Sequence, residues 1–94
     1  MTVTKRNMDR VSLICHATVC HMFAEFCNKD KHPNFDWSKF AEMCKEWCRG
    51  QVFLAYITGK DQEAIYIHAE NTGEELANKM LNWAGFLKKE TNND

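Results

Sequence analysis

Residues 52–70, Val52-Phe-Leu-Ala-Tyr-Ile-Thr-Gly-Lys-Asp-Gln-Glu-Ala-Ile-Tyr-Ile-His-Ala-Glu70 (VFLAYITGKDQEAIYIHAE), decide how the chain is read. β-Branched and aromatic residues stand on both sides of Gly59-Lys60-Asp61, a pattern that predicts an antiparallel hairpin. Phe53, Ala55 and Ile57 would share one face of the first strand, with Val52, Leu54 and Tyr56 on the other. In the second strand Ile65 and Ile67 would oppose Tyr66 and His68. Neither face of the first strand is polar, so both call for cover. A two-stranded sheet is marginal alone and has to pack on helices. Its open edge would be free to pair with another chain.

Working outward, Asp9 to about Asn28 carries no Gly or Pro and predicts a helix. At about 100° per residue, Leu13, Ala17, Cys20, Ala24 and Cys27 share one face, while Val11, Ile14, Cys15 and Met22 lie on another. A helix apolar over so much of its circumference is buried centrally or shared with a second subunit, which points to a homo-oligomer. Pro33, the only proline, biases His32 away from helix. Asp36 then caps a helix from Trp37 to Arg49, with Phe40, Cys44, Trp47 and Cys48 as its apolar stripe and Gly50 as its C-cap. Beyond the hairpin, Thr72-Gly-Glu-Glu75 matches a capping box opening a last helix with Leu76, Met80, Trp83, Ala84 and Leu87 inward. Gly85 inside that helix lacks a local explanation, unless another backbone approaches closely. The expectation is an α+β fold: one domain over residues 1–94, order α-α-β-β-α, a two-stranded antiparallel hairpin packed on helices, and flexible ends at 1–7 and 90–94.

Composition narrows the function classes. The 94 residues are 45% hydrophobic and 12% aromatic, enough for one packed core. A net charge of −1, with Arg6, Arg10 and Arg49 as the only arginines and the lysines dispersed, shows no basic stripe for nucleic acid. The segment Val11–Cys27 is apolar-rich but interrupted by His16, His21 and Glu25, and it is shorter than the roughly 20 apolar residues of a bilayer span. Neither nucleic acid nor membrane is expected as a partner. Five cysteines, an odd number, and a start without a signal-peptide apolar region point to a reducing cytoplasm.

The sharpest chemical proposal is a metal site. His16 and Cys20 stand four apart on the first helix, as do Cys44 and Cys48 on the second. Each pair projects from one helical face, so opposed helices would surround zinc with one imidazole and three thiolates, with His21 and Cys27 as substitutes. The competing account makes the cysteines small core hydrophobes, since Cys44 and Cys48 fall on the stripe of Phe40 and Trp47. Zinc is therefore the alternative, in a zinc-stabilised regulatory domain, and the leading reading has no cofactor. Catalysis has less support. No cysteine opens a predicted helix, Asp36, Glu74 and Glu75 are explained by capping, and His68 and Glu70 would leave a strand at the surface. No catalytic residue is assigned, and a non-enzymatic protein is expected.

The aromatic residues suggest a binding surface, because Trp and Tyr bury much area with few rotors. Trp47 and Trp83 are expected in the core, whereas Trp37, Tyr56 and Tyr66 are the candidates for partner contact. The run His32-Pro-Asn-Phe-Asp-Trp-Ser-Lys-Phe-Ala-Glu-Met-Cys44 resembles a segment of small uncharacterised bacteriophage and mobile-element proteins. There an Asn-Pro-x-Phe-Asp-type loop precedes a helix ending near a cysteine; here Pro33 precedes Asn34 rather than following it. The resemblance spans about residues 23–44. It implies a two-helix unit in which Phe35, Phe40 and Cys44 pack, and an accessory protein that binds a host factor. The expected function is a cytoplasmic protein-interaction module, phage-encoded, that inhibits or modulates a host defence or transcription factor by occlusion.

Overall fold

The computed structural model describes residues 5–55, 57 and 62–85. Helix α1 (Lys5–Phe26) is followed by a loop and a 3-10 turn (Trp37–Lys39) leading into helix α2 (Phe40–Leu54), and helix α3 (Gln62–Ala84) completes a three-helix bundle. Among the described residues there is no strand, so the expected α+β fold with a packed hairpin is replaced by an all-helical one. Val52–Leu54 are the last turn of α2, and Gln62–Glu70 are the first turns of α3. Gly59-Lys60-Asp61 and Tyr56 lie outside the described residues.

The reason is a core pattern of four-residue steps that runs through the supposed strand boundaries. In α2, Phe40, Cys44, Cys48 and Val52 are all fully buried; in α3, Ile65, Ala69, Gly73, Ala77 and Leu81 form the matching row. Side chains at that spacing lie one above another along a helix, and such rows interdigitate between neighbouring helices. Val and Ile give up only about 0.5 kcal/mol of helix propensity relative to Ala. Burying such a side chain stabilises by about 1.5–3 kcal/mol. The packing therefore outweighs the β-preference that suggested strands. Gly50 is an interior residue of α2 rather than its cap. Thr72 sits mid-helix in α3, so the predicted capping box does not open that helix. Gly85 follows α3 with φ +81°, the left-handed conformation that glycine adopts without penalty, and its N–H donates to the Asn82 carbonyl at 3.1 Å.

Helices α1 and α2 pack antiparallel. Phe23 meets Trp37 and Phe40 at one end, and further along the Cys48 thiol donates to the Cys15 carbonyl at 3.9 Å. Helix α3 returns alongside α1, with the Cys15 thiol donating to the Ala69 carbonyl at 3.5 Å. Gly73 lets α2 and α3 approach closely: a Cβ placed there would lie 2.7 Å from Cys48 Sγ and 3.0 Å from the Cys44 carbonyl oxygen.

The loop between α1 and α2 is held by rings. Phe26 stacks on Phe35 with centroids 4.0 Å apart, Trp37 presents an edge to Phe35 at 4.9 Å, and Phe40 lies 5.2 Å from Trp37. His32 Nε2 contacts Glu25 Oε2 at 3.0 Å, and Asn28 Oδ1 accepts from the N–H groups of Asp30 and Lys31. Asp36 does act as a cap: its carboxylate accepts from the Ser38 N–H at 3.1 Å and opens the 3-10 turn before α2. Of the ends expected to be flexible, residues 5–7 belong to α1, and residues 1–4 and 90–94 lie outside the described residues. Among the described residues no helix is long and apolar enough to cross a membrane.

Candidate interaction surface

Helix α1 has two apolar faces, and the bundle uses one. Val11, Cys15, Val19 and Met22 are buried, whereas Leu13, Ala17, Cys20, Ala24 and Cys27 are all exposed, Leu13 to 72%. The second face forms a crest flanked by two shallow depressions. Toward α3, His16, Val19 and Cys20 face Leu76, Lys79, Met80 and Trp83 across a groove of about 250 Å³. Toward α2, Ala17, His21 and Met22 face Trp47 and Gln51 across a second. Trp83 is 82% exposed and Trp47 54% exposed, so the crest carries a large ring on each side.

This reverses the expected division of the tryptophans. Trp47 and Trp83, expected in the core, stand at the surface. Trp37, offered as a contact residue, is half-buried in the ring cluster of the α1–α2 loop. Tyr66 is half-buried, with the Arg49 guanidinium 5.0 Å above its ring. The helical wheel held the missing signal. Trp47 lies one residue off the Phe40–Cys44–Cys48–Val52 row, and Trp83 lies two beyond Leu81, so both rows are complete without them.

The four proposed zinc ligands are divided in the same way. His16 and Cys20 are exposed and line the α1–α3 groove, while Cys44 and Cys48 are fully buried between the helices. The thiol that meets Cys48 from α1 is Cys15, one residue from His16 and on the opposite face from Cys20. Among the described residues no group of three or more His, Cys, Asp or Glu is placed to hold a metal ion. The candidate substitutes His21 and Cys27 are also exposed.

Two of the three buried thiols, Cys15 and Cys44, are chemically quiet. The hydrogen bond with Cys48 is the main influence pushing Cys15 far above the usual thiol range, with burial adding to it. Burial, reinforced by Cys48, pushes Cys44 up to about 12. The thiolate is the nucleophile and the metal ligand, so Cys15 and Cys44 are held as protonated core atoms, whereas the hydrogen bond with Cys15 draws the Cys48 thiol below its ordinary range against the opposing effect of burial. His68 and Glu70 point apart on α3. Glu70 pairs with Arg49 at 3.5 Å, whereas His68 Nε2 is buried without a hydrogen-bond partner among the described residues. They form no acid–base pair.

Comparison with protein-family models, with curated protein sequences and with solved structures finds no match to this chain.

Proposed function

We propose that the protein is a non-enzymatic interaction module that binds a partner protein through the outer face of α1 and acts by covering a site on that partner. One observation carries the reading: a helix whose second apolar face, crested by Leu13 and flanked by Trp47 and Trp83, is left open to solvent. Contiguous exposed apolar area is costly for a monomer and marks binding surfaces. Tryptophan is among the residues most enriched at the energetic centres of interfaces. A face carried on a regular helix needs little ordering on binding, which lowers the cost of association.

The resemblance of residues 32–44 to small bacteriophage and mobile-element proteins extends the proposal to a phage-encoded modulator whose partner is a host defence or transcription factor. The α1–α2 grouping of zinc ligands gains no comparable support, because two of its four members are core residues.

The test is affinity co-purification from a bacterial host, comparing the wild-type chain with Leu13→Glu and Trp47→Glu. Both changes are at exposed positions, so unchanged far-UV circular dichroism is expected. A stoichiometric partner that is retained by the wild type and lost by both variants supports the reading. Undiminished retention by both variants, or no stoichiometric partner, sinks it.

A further inference from the structure

His16 and Cys20 stand one turn apart on α1, both exposed and both on the same groove, with Leu76, Met80 and Trp83 behind them. Side chains at this spacing project from one face with Cβ atoms about 5–6 Å apart, close enough to reach a single ion. Imidazole and thiolate are ligands zinc prefers, at about 2.0–2.1 Å to nitrogen and 2.3 Å to sulfur. Zinc asks for four ligands in a tetrahedron. Among the described residues no third His, Cys, Asp or Glu joins the pair, so one chain offers half a site.

We propose that His16 and Cys20 bind zinc together with the same two residues of a second copy of the chain, giving one zinc ion per dimer. A two-fold interface brings one surface patch against itself, so an axis beside the middle of α1 opposes the two pairs without any further sequence feature. Ala17, between the two ligands, and Ala24, one turn beyond Cys20, leave room for a second helix to approach. Leu13 and Trp83 flank the pair and would be covered by the second copy, which leaves the Trp47 side of α1 for the partner protein. Two thiolates neutralise the dication, and two protons leave as the two thiols coordinate. Leu76, Met80 and Trp83 line the groove beside the pair together with Lys79, whose ammonium pairs with Glu75 at 3.8 Å.

The inference rests on the outer face of α1 being an interaction surface, and its failure is distinguishable from the failure of that reading. Full-length protein is stripped with chelator, kept under a phosphine reductant, and titrated with zinc while sedimentation velocity and metal analysis are followed. The expected result is a monomer that becomes a dimer holding one zinc per two chains and dissociates again with chelator. His16→Ala and Cys20→Ser each stay monomeric at zinc levels that saturate the wild type, with unchanged circular dichroism. Cys27→Ser, which removes the other exposed thiol, dimerises as the wild type does. Cobalt in place of zinc gives the absorption of a tetrahedral thiolate site, absent in Cys20→Ser. A chain that stays monomeric with zinc, binds one zinc per monomer, or dimerises with zinc despite Cys20→Ser overturns the proposal. A dimer that forms without metal and is lost in Leu13→Glu also overturns the zinc site, but leaves α1's outer face as the contact.

Discussion

Gly73→Ala and Gly50→Ala make the same chemical change in a helix interior, and the structure separates their effects. Replacing glycine by alanine within a helix stabilises it by about 1 kcal/mol through backbone entropy alone. At Gly50 the added methyl meets nothing within 4 Å, so that gain is realised. At Gly73 the methyl would sit 2.7 Å from Cys48 Sγ and 3.0 Å from both Cys48 Cβ and the Cys44 carbonyl oxygen. Carbon contacts settle at about 3.5–4.0 Å, so α2 and α3 have to part by about half an ångström or more. Moving apart by that much forfeits about a quarter or more of the attraction across the contact. Overpacking of this kind costs about 1–3 kcal/mol. The helix term is common to both variants, so the difference between them isolates the packing cost, about 1–3 kcal/mol. For a domain of this size each kcal/mol moves Tm by about 4–8 °C. Gly50→Ala should melt above the wild type and Gly73→Ala below Gly50→Ala by at least about 4 °C. Adding Cys48→Ala to Gly73→Ala removes the nearest atom, so the double variant should lose less stability than the two single changes summed. Thermal and urea unfolding followed by circular dichroism give all four values. Equal Tm shifts for the two glycine variants, or strict additivity in the cycle, would refute the close approach of α2 and α3 at Gly73.

Other consequences are equally direct. Gly85 holds φ +81°, so Gly85→Ala should destabilise α3's end by about 1–2 kcal/mol, and Gly85→Asn, which tolerates that conformation, by less; urea midpoints compare them. The His32 contact, helped by Lys31, holds the Glu25 carboxyl below its ordinary pKa. A depressed carboxylate contributes stability present above the unfolded value, about 4.3, that is lost as pH falls through the lower folded value. Tm of wild type and Glu25→Gln should therefore differ at neutral pH and converge on acidification; a gap that widens in acid would contradict the pairing. Cys20 and Cys27 are exposed and Cys15, Cys44 and Cys48 buried, so a thiol reagent should label two sulfurs quickly. The remaining three should react only at the rate of opening, and fast labelling of a third in the native state would contradict the core arrangement.

Local chemistry was legible at Asp36, although the equally local readings of Thr72–Glu75 as a capping box and of Gly50 as a C-cap failed because both stretches lie inside longer helices. Asp36 reads as a cap from its position alone, because its carboxylate needs only the Ser38 N–H two residues on. The uninterrupted α1 and the apolar row beginning at Phe40 were equally plain. The burial of Cys44 and Cys48 follows from their place on that row. The sequence also showed two apolar faces on α1, although it did not distinguish them. Both are sequences of small and aliphatic side chains at helical spacing, and only the arrival of α2 and α3 buries Val11, Cys15, Val19 and Met22 and leaves Leu13 and Cys20 outside. The same physics governed residues 52–70. Val52, Ile57 and Ile65 prefer burial more strongly than they prefer strand or helix, so local composition cannot fix their secondary structure. Gly50 and Gly73 look like punctuation in the chain, but one is an open interior position and the other the contact point of two helices. That distinction belongs to the neighbouring helix and is absent from the glycine's own surroundings in sequence. What the sequence alone determined is a chain rich in helical rows with a carboxylate cap, Asp36, on the turn that leads into α2. The tertiary structure decided which rows meet, and so which cysteines are core atoms and which pair, His16 and Cys20, remains at the surface.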